Sequence, residues 1–117
     1  FLLNKGEVNG VRLLQPATID AMWTRLSGTP WYDALGDYYG PLLEGYGLGW
    51  YVGEKDGHRS VGHAGGIGGA NTQLQLAPDE GLAAIAMSNW LDLDNPTYPA
   101  SFADFDVLYQ LLGIQPQ

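Results

Sequence analysis

Apolar residues follow two different spacings along this 117-residue chain, and the change lies near Tyr46. Between Pro16 and Leu26 they recur at i, i+3, i+4 and i+7, which is typical of one face of an amphipathic helix. Pro16 favours the start of this helix, because the first helical position needs no backbone N–H donor. The residues on the predicted apolar face are Ile19, Met22, Trp23 and Leu26.

Two shorter signals precede this helix. Phe1, Leu2 and Leu3 are apolar and lead into Gly6, a pattern that indicates the last turn of a helix that begins upstream. The pair Asn9-Gly10 lies between short apolar pieces and predicts a tight turn.

From Tyr46 onward the pattern predicts strands. Apolar and polar residues alternate over 72–77, and turn residues follow at 78–81. The continuous apolar run Leu82–Met87 is typical of a buried strand. We therefore expect an antiparallel sheet of three to four strands. The predicted strands are 46–53, 59–64, 72–77 and 82–87.

A final helix is predicted from Ser101 to Leu112. Ser101 and Asp104 match the S-x-x-[DE] capping pattern, and Gly113 favours the helix end. The chain length suits one domain, 1–117, and the order of elements predicts the α+β class, with helices flanking an antiparallel sheet.

Charge and composition exclude several kinds of partner. The formal net charge is −8, which argues against nucleic acid and against an anionic membrane surface. No apolar run is long enough to span a membrane. The absence of cysteine excludes disulfides and thiolate metal ligands, and it leaves the cellular compartment open.

Five of the 17 glycines lie within the segment 62–69, around His63. A phosphate-binding loop is disfavoured, because neither G-x-x-x-x-G-K-[ST] nor G-x-G-x-x-G is present. Two interpretations remain open at this point. The segment is either a tight structural turn, or a strand whose backbone N–H groups face a reacting carbonyl.

We assign no cofactor and no metal site. His58 and His63 are five residues apart, so on one strand their side chains would face opposite sides. The acidic loop 92–95 lacks the glycine and the distal glutamate of a calcium loop, and solvated loop carboxylates explain it.

Several of these segments together resemble the C-terminal part of the serine β-lactamase and penicillin-binding-protein-like family, in its class C and esterase/D,D-peptidase branch. The resemblance covers roughly residues 1–112. The segments that carry it are Leu2-Leu3-Asn4, Asn9-Gly10, Arg12-Leu13-Leu14 with Pro16, Tyr46-Gly47-Leu48-Gly49-Trp50, Gly62-His63-Ala64-Gly65-Gly66, 74–78, 81–87 and Asn89.

The resemblance implies a β-lactamase/transpeptidase-like fold and roles for particular residues. His63-Ala64-Gly65 matches the family's K-T-G or H-x-G element. His63 would then assist a catalytic tyrosine and the substrate, and the Gly66 N–H would be an oxyanion-hole donor. Asn89 and Tyr46 would contact substrate.

Two catalytic elements of that family are absent from these 117 residues. Residues 2 and 52, three positions before the only lysines, are not serine, so there is no S-x-x-K. No tyrosine is followed two positions later by Asn or Ser, so there is no Y-x-[NS]. We therefore expect a C-terminal piece of a serine hydrolase that is inactive by itself.

Further expectations follow from this interpretation. The parent would cleave an amide, β-lactam or ester bond in a small acyl or peptide-like substrate through an acyl-enzyme. Missing N-terminal segments would leave apolar faces at Leu82–Met87 or Phe102–Leu112 partly uncovered, so the partner would be the rest of the protein or a second copy. The resemblance implies a periplasmic or secreted bacterial parent.

A non-catalytic binding module is the alternative. Residues 27–45 show no clear periodicity and form a long predicted loop, which is often a functional segment. Such a module would bind a ligand or a protein through the aromatic segment 31–46 without chemistry at His63. The aromatic side chains concerned are Trp31, Tyr32, Tyr38 and Tyr39.

Overall fold

A computed structural model describes residues 1–26, 45–89 and 103–114 of the chain, with side chains of the last stretch described from Val107 onward. The described residues form seven strands and two helices, which confirms the α+β class. The strands are β1 (Glu7–Val8), β2 (Val11–Arg12), β3 (Gly45–Tyr46), β4 (Tyr51–Lys55), β5 (His58–Ile67), β6 (Ala70–Ala77) and β7 (Leu82–Ser88). The helices are α1 (Pro16–Met22) and α2 (Ala103–Leu112).

The N-terminal residues have the hydrogen bonds of a helix end. Gly6 N–H donates to Phe1 O at 3.1 Å and Lys5 N–H donates to Leu2 O at 2.9 Å. These two bonds form the Schellman pattern, in which the left-handed residue is Lys5 with φ of 50° and Gly6 follows it. Residues 1–6 therefore form turns with the hydrogen bonds of a helix C-terminus, and the upstream helix itself stays a prediction.

The predicted turn at Asn9-Gly10 joins β1 to β2. Both residues have positive φ, 50° and 78°, which is the combination that a two-residue hairpin of type I′ requires. The predicted helix at Pro16 is also present, but it ends at Met22, four residues before Leu26.

Five strands form one antiparallel sheet in the order β3-β4-β5-β6-β7, so each strand lies beside its neighbours in sequence. The sheet has one strand more than the predicted upper number. The difference arises because the predicted strand 46–53 is divided into β3 and β4 by a turn at Gly47–Trp50. The glycine-rich segment 62–69 is the second half of β5 and its hairpin turn.

The main core lies between α1 and one face of the sheet. Ile19 and Trp23 come from α1 and its C-terminal cap, and they pack on Val52, Val61 and Leu76 of three adjacent strands. Ile19 and Val61 are completely buried. This cluster fixes the position of β5, because Val61 lies in its middle.

A second cluster lies at the other end of the chain. Leu108 of α2 is completely buried against Ala77 and Ala84 of β6 and β7, with Leu82 and Leu112 at its margin. Gly113 has φ of 72° and ends α2, as predicted. Neither described helix is long and apolar enough to cross a membrane.

The apolar run Leu82–Met87 forms β7 as predicted, but it is not a buried strand. Ala84 is buried on the face that meets α2, whereas Ile85 is 67% exposed and Met87 is 78% exposed. The physical reason is that β7 is the last strand of the described sheet and packs on one face only. Continuous apolar sequence therefore produced an exposed apolar strip.

Candidate functional site

His63 lies on β5 just beyond the point where its pairing with β4 ends. Tyr51 and Gly62 are the last paired residues of β4 and β5. On the other side β6 continues to pair with β5 as far as Ile67. Residues 63–67 of β5 therefore have a described strand on only one side.

The pairing register determines which backbone groups face the open edge of β5. Ile67 and Ala70 flank a two-residue hairpin loop, so they form a hydrogen-bonded pair. Such pairs alternate with non-hydrogen-bonded pairs along an antiparallel ladder. Gly65 therefore bonds to β6, whereas the N–H and C=O groups of Ala64 and Gly66 face the open edge.

Side-chain contacts agree with this alternation. Thr72 Oγ1 of β6 donates to Gly65 O at 3.3 Å, so the Gly65 carbonyl faces β6. The carbonyl of Ala64 instead accepts a hydrogen bond from His63 Nδ1 at 2.6 Å. The open edge thus presents the Gly66 N–H on the same strand as His63.

Tyr46 reaches this site because a tight turn folds β3 back on β4. Gly47 N–H donates to Trp50 O at 2.7 Å, and Gly49 has φ of 79°, a conformation that favours glycine. Gly47 also lies against the carbonyl of Met22, where a Cβ atom would collide. The glycines of Tyr46-Gly47-Leu48-Gly49-Trp50 therefore have a structural purpose: they place Tyr46 opposite Tyr51.

Three rings form a compact cluster at the open edge. The Tyr46 hydroxyl and His63 Nε2 are 2.8 Å apart. The Tyr51 ring is stacked on His63 with centroids 4.7 Å apart and planes inclined by 10°. Tyr46 meets both other rings edge-on, at 5.8 Å from His63 and 5.3 Å from Tyr51. His63 is exposed as a residue, yet both its ring nitrogens have partners within the chain.

An open depression lies beside the histidine on the sheet surface, with a volume of about 380 Å³. Apolar side chains from β6 and β7 dominate its wall. The lining residues are His63, Ala64, Gly65, Thr72, Gln73, Leu74, Ile85 and Met87.

The sequence-predicted site residues are only partly brought together. His63, Gly65 and Gly66 are consecutive on β5, and Tyr46 contacts His63 directly. Asn89 is exposed and follows the residue of β7 that pairs with Asn71, so it lies two strands from β5, about 10 Å by strand spacing.

Tyr51 was not predicted as a site residue. No sequence signal indicated it, because its stacking on His63 depends on where β4 pairing stops.

Other predictions fall on segments that the structure does not describe or on separate positions. Residues 31–44 of the aromatic segment and the acidic loop 92–95 lie outside the described residues. His58 contacts Glu80, with Nδ1 and Oε1 2.5 Å apart, and is separate from His63. Among the described residues, no three His, Asp or Glu side chains are grouped so that they could hold a metal ion.

Comparison with known proteins identifies the family. The family model described as Beta-lactamase matches residues 2–107. The unguisins hydrolase ungD' of Aspergillus campestris (strain IBT 28561) is 30% identical over 102 residues, which is 86% of this chain and 17% of that protein. No solved structure matches the chain. Since the family model covers most of its length, the chain belongs to the beta-lactamase family of proteins.

Proposed function

We propose that this chain supplies the H-x-G strand and one oxyanion-hole amide of a serine hydrolase. The enzyme would attack an amide, β-lactam or ester carbonyl of a small acyl or peptide-like substrate. A serine outside these 117 residues would form the acyl-enzyme, and water would release it. His63 would assist proton movement, and the Gly66 N–H would donate to the developing oxyanion.

One observation carries this proposal. The Gly66 N–H faces an edge of β5 that no described strand covers, and His63 lies three residues away on the same strand. An N–H that faces away from the described strands beside a histidine suits the donor that a developing oxyanion needs.

Family membership supports hydrolysis as the class of reaction. The relative from Aspergillus campestris has a name that makes it a hydrolase of unguisins, and this chain spans 17% of its length. The nucleophile and base elements S-x-x-K and Y-x-[NS] do not occur in the chain. We therefore propose that the active enzyme is a longer protein, in which this chain is the part that contains β3 to β7.

The first test asks whether the chain is active without the rest of the proposed hydrolase. Purified chain should show no turnover and no burst with chromogenic ester or β-lactam substrates, because it has no serine nucleophile with an adjacent lysine. Gene sequence upstream of Phe1 should encode S-x-x-K in the same reading frame. Burst release of a chromogenic leaving group by the pure chain would overturn this assignment of roles.

The oxyanion role of Gly66 can be tested in the parent hydrolase with two matched variants. Gly66→Pro removes the N–H, and Gly66→Ala keeps it. Loss of one oxyanion donor typically slows the reaction about 100- to 1000-fold. We expect acylation by Gly66→Pro to slow by that factor and acylation by Gly66→Ala to stay within a few-fold of wild type. Equal rates for the two variants would contradict the role.

The exposed strip of β7 also supports a partner. Ile85 and Met87, together with Ile67 of β5, are large apolar side chains that face solvent in this chain. We propose that they are covered by the rest of the hydrolase, or by a second copy when the chain is alone. Sedimentation of the pure chain should show self-association, and a clean monomer at high concentration would contradict the proposal.

A further inference from the structure

His63 has one ring nitrogen whose hydrogen-bond role is unambiguous. Nδ1 lies 2.6 Å from the carbonyl oxygen of Ala64. A carbonyl oxygen can only accept, so Nδ1 must carry the proton. In the neutral ring the other nitrogen, Nε2, is then an acceptor.

The Tyr46 hydroxyl is 2.8 Å from this acceptor and therefore donates to it. The two hydrogen bonds favour the same tautomer of His63. Each of them can form with the Nδ1–H tautomer, and neither can form with the neutral Nε2–H tautomer. Tyr51 stacks on the ring and limits its rotation. The Ala64 carbonyl and the Tyr46 hydroxyl thus favour the Nδ1–H tautomer of His63, and the Tyr51 ring holds the imidazole in place.

We infer that Tyr46 is a positioning residue, which holds His63 as the Nδ1–H tautomer and links it to the open edge of β5. In this geometry His63 has no uncommitted N–H to offer a substrate. Because both ring nitrogens of His63 have partners, any action of His63 on the proposed acyl site passes through the Tyr46 hydroxyl. The catalytic role of this arrangement rests on the proposed function, whereas the tautomer of His63 is a property of the chain itself.

This role differs from the direct substrate contact that the sequence suggested for Tyr46. A substrate ligand would be expected to keep its donor available for the substrate. Here the donor is committed to Nε2, and the ring of Tyr46 also packs edge-on against His63 and Tyr51.

The experiment is nitrogen NMR of the imidazole rings in the full chain, at a pH where the rings are neutral. The ring nitrogen shifts and couplings distinguish Nδ1–H from Nε2–H. The chain has two histidines, so a His58→Gln variant assigns the signals of His63. We expect the Nδ1–H pattern at His63 in the wild-type chain, and an Nε2–H pattern there would overturn the inference.

Two matched variants test the part played by Tyr46. Tyr46→Phe keeps the ring and removes the donor, and Tyr51→Phe keeps the stacked ring and removes a hydroxyl that does not bond to His63 in this arrangement. Losing one hydrogen bond of ordinary strength shifts an equilibrium about fivefold. The tautomer ratio of His63 should move toward Nε2–H by about that factor in Tyr46→Phe only. An unchanged ratio in Tyr46→Phe, with an amide spectrum showing a folded chain, would contradict the role.

The outcome is independent of hydrolysis, because the tautomer is read in a chain that we expect to be inactive. Should Tyr46→Phe fail to fold, the wild-type spectrum still decides whether Nδ1 carries the proton. The inference about His63 and the proposed function can therefore fail separately.

Discussion

The two ends of β5 have the same backbone structure and opposite surroundings. In the first half, residues 58–62, Ser60, Val61 and Gly62 are buried, and Val61 and Gly62 have a paired strand on each side. In the second half, residues 63–67, residues 65–67 are exposed, and β6 is the one described strand that pairs with them. Each half also has a histidine, His58 in the first and His63 in the second.

The contacts of each end follow from this difference. In the buried first half, Ser60 Oγ accepts a hydrogen bond from the Gln75 side chain, and Gln75 Oε1 accepts one from Gln73. Where β4 stops, the Ala64 carbonyl and the Gly66 N–H have no ladder partner among the described strands. The candidate site therefore depends on the length of β4, because β4 begins at Tyr51 and leaves one edge of β5 uncovered beyond Gly62 among the described strands.

The largest expected effect lies at Gly62, which pairs with both β4 and β6. A Cβ atom at Gly62 would collide with Leu74 O and with the Gln75 side chain, and a backbone oxygen within a ladder cannot move aside. Overpacking of this kind costs up to about 3 kcal/mol, so Gly62→Ala should lower the free energy of unfolding by about that amount. Urea denaturation measures it.

Gly68→Ala is the matched control for that substitution. Nothing lies within 4 Å of a Cβ atom at Gly68, in the hairpin loop at the other end of β5. Its free energy of unfolding should stay within about 0.5 kcal/mol of wild type. Similar losses for the two variants would show that the ends of the strand do not differ in packing as described.

The second prediction tests the direction of backbone groups at the open end. Gly65→Pro removes an N–H that bonds to β6, and an unsatisfied or lost ladder bond costs about 2 kcal/mol. Gly66→Pro removes an N–H that faces the open edge, so its free energy of unfolding should fall by less than about 1 kcal/mol. The reverse order of stability in urea denaturation would mean that the Gly66 N–H does not face the open edge.

Much of this arrangement could be predicted from local sequence patterns. Asn9-Gly10 favours positive φ, and the alternation at 72–77 and the apolar run at 82–87 favour extended chain, so these elements needed no tertiary information. The histidine strand was likewise indicated by its glycines and by the resemblance of His63-Ala64-Gly65 to the third family element.

Other features could not be predicted, because they depend on which strand lies beside which. Tyr51 joins the site through the register of β4 against β5, and no local pattern specifies where that pairing stops. The exposure of Ile85 and Met87 depends on what covers β7. An apolar run in the sequence does not specify whether another part of the protein packs on it. Likewise, the turn at Gly47 that divides the predicted strand 46–53 depends on contact with the Met22 carbonyl.

The third prediction concerns the apolar strip near the open end. Replacing Ile85 and Met87 together, by Thr and Gln, removes two exposed apolar side chains without disturbing a buried contact. The proposed self-association should weaken by about tenfold, or about 1.4 kcal/mol, because apolar burial is its driving force. Val11→Thr on β2 is the control: Val11 is exposed and apolar but distant in sequence from the sheet edge, so association should be unchanged in sedimentation.

The smallest expected effect is at the other histidine. His58 and Glu80 join the starts of β5 and β7 through a contact of 2.5 Å, and Arg59 and Asp79 form a parallel pair at 2.9 Å. Both pairs are partly exposed to solvent, where Coulomb attraction is screened and side-chain ordering opposes it. Glu80→Gln should therefore lower the free energy of unfolding by only about 0.5 kcal/mol, despite the short distance.

A double-mutant cycle with His58→Gln isolates the coupling energy of the His58–Glu80 pair, and this coupling should shrink further in about 1 M salt. Glu80→Gln should also leave the NMR tautomer pattern of His63 unchanged, since the two histidines belong to opposite ends of the strand. A coupling of several kcal/mol, or a tautomer shift at His63, would mean that the two ends of β5 are not independent.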